Sequence, residues 1–143
     1  MANLNKTLIV AGCFSLLAAL LHIAIIIGGA DWYRYFGAGE ELAQLSEQGS
    51  LLPAAITMFI ASIFIVWAIF AFSGAGLVRR LPWIKPALIV ITFIYLARGL
   101  GIIPLMFLSP DILDNFLVVT SIISAAVGSL HFWGFRKMIQ VQQ

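Results

Sequence analysis

The stretch TLIVAGCFSLLAALLHIAIIIGG, residues 7–29, carries no charged side chain and a single histidine, His22. A helix needs about 20 mostly apolar residues to cross the hydrocarbon core of a bilayer, and this stretch supplies them. Three more of the kind follow, at about residues 52–77, 84–107 and 112–135. The first could be taken for a secretory signal, because Lys6 precedes it and Gly28 and Ala30 are small. Its apolar run is longer than the roughly 7–15 residues of such a signal, so a retained helix is expected.

Composition agrees with this count. Hydrophobic residues make up 62% of the 143 residues and charged residues 10%. Soluble domains are nearer about 45–50% and about 25%. A water-soluble fold of this size buries only about 60–70% of what its chain exposes, so lipid must solvate the remainder. The expectation is an all-α integral membrane protein: one domain, an up-and-down bundle of four transmembrane helices, with an outer loop at residues 30–51.

The punctuation is legible too. Ser73, Gly74 and Gly76 close the second span, Pro82 and Pro86 open the third, and Ser109-Pro110-Asp111 forms a turn before the fourth. Asp111 suits the positive end of that helix. Between the spans lies a regular division of charge. Lys6, Arg79, Arg80, Lys85, Arg136 and Lys137 all fall on one side, whereas Asp31, Glu40, Glu41, Glu47, Asp111 and Asp114 fall on the other. Cytoplasmic loops carry the excess of Lys and Arg. Both termini of this multi-pass chain are therefore expected in the cytoplasm.

Several function classes drop out. The bases form no stripe that would suit nucleic acid. Cys13 is the only cysteine, which excludes an internal disulfide or a CxxC redox pair. There is no P-loop, GxGxxG or HExxH motif, and His22 and His131 lie toward opposite faces, so neither a metal nor a cofactor is expected. His131, beside Trp133 and Arg136, reads as an interface residue.

The outer loop is the most distinctive segment. Trp32, Tyr33, Tyr35 and Phe36 suit an aromatic belt at headgroup level. Residues from Glu40 to about Gln48 suit a short interfacial helix with Leu42 and Leu45 toward the protein or lipid. A second reading makes this loop the cap of a polar pocket between the helices. His22, Asp31-Trp32-Tyr33-Arg34, Gly37-Ala38-Gly39-Glu40, Tyr95 and Arg98-Gly99 together resemble small uncharacterised bacterial four-helix inner-membrane proteins, distantly DoxX-like. That resemblance implies a bacterial four-helix bundle and no defined reaction.

Arg98 stands out inside a span. It lies roughly 18–21 Å along the third helix, and an arginine near the bilayer centre costs about 2.5–3.5 kcal/mol on insertion scales. It either snorkels to the outer headgroups or holds an anion in its guanidinium fork. Tyr95 shares its helical face, and His22 falls at similar depth on the first helix. A ligand site of His22, Asp31, Trp32, Tyr33, Arg34, Glu40, Tyr95 and Arg98 is the resulting candidate, with Glu40 as the preferred partner of Arg98. It would take a lipid or small amphiphile in an outward-facing pocket. The alternatives are a membrane-embedded enzyme using His22 with an outer carboxylate, or a subunit of a membrane complex or transporter. On the fourth helix, Ser121, Ala125 and Ser129, with Ser124 and Gly128, make a small-residue face. Such faces pack helices closely, either within the bundle or in a homodimer.

Overall fold

The computed structural model describes residues 4–109, 111 and 113–140, and among these it contains helix and no strand. The order is α1 (Lys6–Gly28), α2 (Ala30–Tyr35), α3 (Glu40–Glu47), α4 (Leu52–Gly74), α5 (Ile84–Leu100), α6 (Ile102–Leu108) and α7 (Asn115–Gln140). Four stretches are long and apolar enough to cross a membrane: Lys6–Gly28, Leu52–Gly74, Ile84–Leu108 and Asn115–Gln140. The helix expected from Glu40 is α3, while α2 is additional.

The departures from the expected bounds have local causes. α4 stops at Gly74 because Gly76 turns left-handed, at φ 78°, and closes a Schellman motif. Gly76 N–H donates to Ser73 O and Leu77 N–H to Phe72 O, which satisfies carbonyls the helix end would leave open. The third span is not one helix. Pro104 has no N–H to give the carbonyl of Leu100 and its ring crowds that carbonyl. The helix accordingly breaks at Gly101, between α5 and α6. The start of α7 is set by Asp114, whose Oδ1 accepts the Leu117 N–H at 2.6 Å, and not by Asp111. Pro110 and Ile112, on which the expected turn and the start of the fourth span fall, lie outside the described residues. α7 runs past Phe135 and takes in Arg136 and Lys137, cations that suit the negative end of a helix.

The chain divides into two compact units, Met1–Phe14 with Trp67–Gln143, and Ser15–Val66. In the first, Asn5 gathers three chain segments. Its Oδ1 accepts the Leu8 N–H and so caps α1; its Nδ2 donates to Gly134 O at 2.7 Å; its backbone N–H donates to Ala75 O. The start of α1, the end of α4 and the C-terminal part of α7 therefore meet. Gly74 adds α5 to the same end, since its Cα faces Leu8, Leu88 and Met138. Glycine also sets the contact of α5 with α7. A Cβ on Gly99 would stand 2.4 Å from the backbone nitrogen of Ala125, and one on Gly128 would meet Leu96. Ala68 and Ala71 are buried along α4, and Ala75 just past its end.

In the second unit Tyr33 of α2, Ile25 of α1 and Ala43 of α3 form a small core, edged by Ala30, Phe36 and Leu42. Tyr33 is thus an interior residue rather than part of an exposed aromatic belt. Trp32 packs against Gly28, where any larger residue would collide with the indole. Ala61, on α4, is fully buried.

Candidate functional site

Arg98 sits near the C-terminal end of α5, about 21 Å from Ile84 at 1.5 Å per residue. Its side chain is exposed, and it leans onto α7. Nη1 donates to Ser121 Oγ at 3.2 Å and Nη2 to Thr120 Oγ1 at 3.3 Å. Both acceptors are neutral. Ser121 is itself buried, and Thr120 passes its own proton to Phe116 O, so two fixed oxygens aim the guanidinium. Two of five N–H donors are engaged, and the positive charge has no carboxylate within ion-pair distance among the described residues.

Tyr95, one turn earlier, does not share this exposure. It is drawn inward, stacked on His131 with ring centroids 5.2 Å apart and edge-on to Trp67 at 5.0 Å. His131 is fully buried, where the sequence suggested an interface position. Its Nδ1 lies 3.0 Å from Val127 O. A carbonyl only accepts, so Nδ1 carries a proton. Nε2 has no hydrogen-bond partner among the described residues.

Residues 30–47 form an arrangement of their own. Arg34 Nε and Nη2 grip both oxygens of Glu40 at 2.9 and 2.8 Å, and Nη1 donates to Glu47 at 2.8 Å. Asp31, almost fully exposed, stands 3.6 Å away. Gln44 also donates to Glu40. Glu40 and Arg98, expected as partners, each take other groups. His22 donates from Nδ1 to Ala18 O at 2.7 Å and packs on Phe64. Among the described residues no group of three or more His, Cys, Asp or Glu could hold a metal ion.

The electrostatics of Arg34 and Glu40 follow from this geometry. The bonds from Arg34, and then that from Gln44, hold the Glu40 carboxyl below the usual carboxylate range, while Glu40 and Glu47 raise the Arg34 guanidinium. A proton acceptor in an acid–base enzyme is tuned upward, toward neutrality, so Glu40 is poorly suited to that part. It is suited to stapling α2 to α3. Because its folded value is depressed, its contribution is present above its unfolded value and is lost as pH falls through the folded one. The raised Arg34 contributes no change between neutral and acidic pH. Amide protection across residues 30–47, corrected for intrinsic exchange, is therefore expected to fall on acidification below the ordinary glutamate range. Glu40→Gln should start lower and lose most of that dependence. An unchanged pH profile in the variant would assign the effect to another group.

Sequence reasoning missed Thr120 and Ser121 as the acceptors for Arg98. It also missed the burial of His131, although a signal was present: His131 follows Gly128 by three residues on the face that carries Ser121. No protein-family model, characterised protein or solved structure matches this chain.

Proposed function

We propose that this chain is a multi-pass inner-membrane protein, both termini cytoplasmic, which binds the anionic group of a lipid or small amphiphile at Arg98. The observation that carries the reading is the state of Arg98. An exposed guanidinium is oriented by two hydroxyls and leaves three donors and its full charge for a ligand. Near apolar surface such a fork pairs with phosphate or carboxylate, in charge-assisted bonds about twice as strong as neutral ones. Exposed Leu100, Ile103 and Met106 continue beyond it and offer apolar surface to an acyl or alkyl chain. The placement in the membrane rests on the four long apolar helices and on the division of charge. Lys6, Arg79, Arg80, Lys85, Arg136 and Lys137 flank the helix ends that Asn5 and Gly74 bring together, which is the pattern of a cytoplasmic face.

A short-chain anionic phospholipid titrated into detergent-purified protein and followed by native mass spectrometry tests the proposal. Arg98→Gln is expected to weaken its binding by about 10–100-fold, the equivalent of one charge-assisted contact. Arg98→Lys should fall between, keeping the charge and losing the fork. Equal affinity in wild type and Arg98→Gln would sink the assignment.

A further inference from the structure

The turn between α4 and α5 has features that neither helix packing nor the Arg98 site uses. Its backbone is pinned from below. The buried Ser73 hydroxyl donates to Arg79 O at 3.0 Å and accepts the Leu81 N–H at 2.8 Å. One side chain thus fixes both sides of Arg80. Pro82 then restricts the backbone, and Trp83 takes a left-handed conformation, at φ 60° and ψ 17°. It is the one non-glycine residue with positive φ among those described. A bulky residue in that region is an outlier, and here it is an exposed one: Trp83 is 80% accessible.

Around it stand Leu77 and Val78, also exposed, and the cations Arg79, Arg80 and Lys85. Among the described residues no carboxylate lies within ion-pair distance of these three. Lys6, Arg136 and Lys137 belong to the same end of this unit, where Lys137 donates to Thr7 Oγ1. Six cations and a large exposed indole therefore share one end, and no acid of the sequence falls in any of its segments.

We propose that the α4–α5 turn is a preformed binding surface for anionic phospholipid headgroups of the leaflet it faces. Charge complementarity selects the occupant: cytoplasmic leaflets are negative, and basic residues close to them are attracted individually. The exposed indole selects it as well. Tryptophan is favoured where one part of the ring meets hydrocarbon and the other meets the headgroup layer, and Trp83 is held there by its backbone. Arg79 and Arg80, exposed on a backbone pinned through Ser73, carry the charge for the phosphates. The inference rests on the membrane placement proposed above, and it is independent of Arg98.

The test is quenching of Trp83 by brominated lipid in phosphatidylcholine vesicles. The Trp83 signal is the difference between the protein and its Trp83→Phe variant. Brominated phosphatidylglycerol is expected to quench it several-fold more strongly than brominated phosphatidylcholine at the same mole fraction. At about fivefold in association per cation near the surface, R79Q/R80Q/K85Q should abolish most of that preference. High salt should reduce it, and Arg98→Gln should leave it intact. Equal quenching by the two lipids, or an unchanged preference in the triple variant, overturns the proposal. So does a preference lost equally in Arg98→Gln. A protein that fails to float with vesicles of either composition overturns the membrane reading itself, a result separate from unselective quenching.

Discussion

Gly99→Val is expected to destabilise the protein by about 3 kcal/mol or more, the largest effect of any single substitution considered. Glycine inside a helix is ordinarily a cost, and replacing it with alanine would gain up to about 1 kcal/mol of helix propensity. At Gly99 packing reverses the sign. The first atoms a Cβ would meet are the Ala125 backbone nitrogen at 2.4 Å and its Cα at 2.7 Å. Backbone cannot rotate away as a side chain can, so α5 and α7 would have to separate. Overpacking costs about 1–3 kcal/mol where side chains can adjust, and here they cannot. Even Gly99→Ala should be destabilising, and Ala125→Gly should not rescue it, because the offending atoms remain. Gly128→Ala makes the contrast. Its nearest neighbours are Leu96 Cδ2 and Cγ at 2.9 Å, so it should cost less in a Leu96→Ala background, with a coupling of roughly 1 kcal/mol. Unfolding midpoints in a denaturing detergent titration measure each of these variants, with Leu96→Ala alone and the wild type as references. A rescue of Gly99→Ala by Ala125→Gly would mean that the two helices are further apart than described.

The same contact explains part of what the sequence made legible. The number of apolar spans could be read because freedom from charge over about 20 residues is a property of the linear chain. Of the small residues that read as a packing face on α7, Ala125 and Gly128 do face α5, whereas Ser129 is exposed. Local chemistry was read less well. Pro104 is a helix breaker, but the hydropathy around it does not fall, so the third span reads as unbroken. Asp111 and Asp114 are equivalent by composition; only the turn geometry makes Asp114 the cap.

The site was legible only in outline. Arg34, alone among Asp31, Glu40, Glu41 and Glu47, had to find an acid, but which two it grips depends on how α2 folds back on α3. Gly37 decides that: it closes α2 with a left-handed turn in which Ala38 N–H returns to Tyr33 O. Glu40 looked available to Arg98 because the sequence gives no distance between the two. Thr120 and Ser121 meet Arg98 across a separation of 22 and 23 residues, fixed by the α5–α7 register. Register between helices is not written in either helix alone, so those partners could not be read in advance.

His131 is the second residue expected to respond strongly, and its response discriminates between structural and chemical parts. His131→Ala is expected to cost about 2–3 kcal/mol, because it leaves a void beneath the Tyr95 ring in a fully buried position. His131→Leu, which refills the volume, should cost less than about 1 kcal/mol. It loses a ring stack worth about 0.5–1.5 kcal/mol. It also removes Nε2, which has no partner among the described residues, and leaving such an atom buried costs about 1–3 kcal/mol. The two changes nearly offset. Val127 O, the acceptor for Nδ1–H, keeps its bond from the helical N–H of residue 131 and is not orphaned. If His131→Leu instead proves as damaging as His131→Ala, the imidazole must be making an interaction that its packing does not account for. Nε2, without a hydrogen-bond partner among the described residues, would then be where that interaction is made.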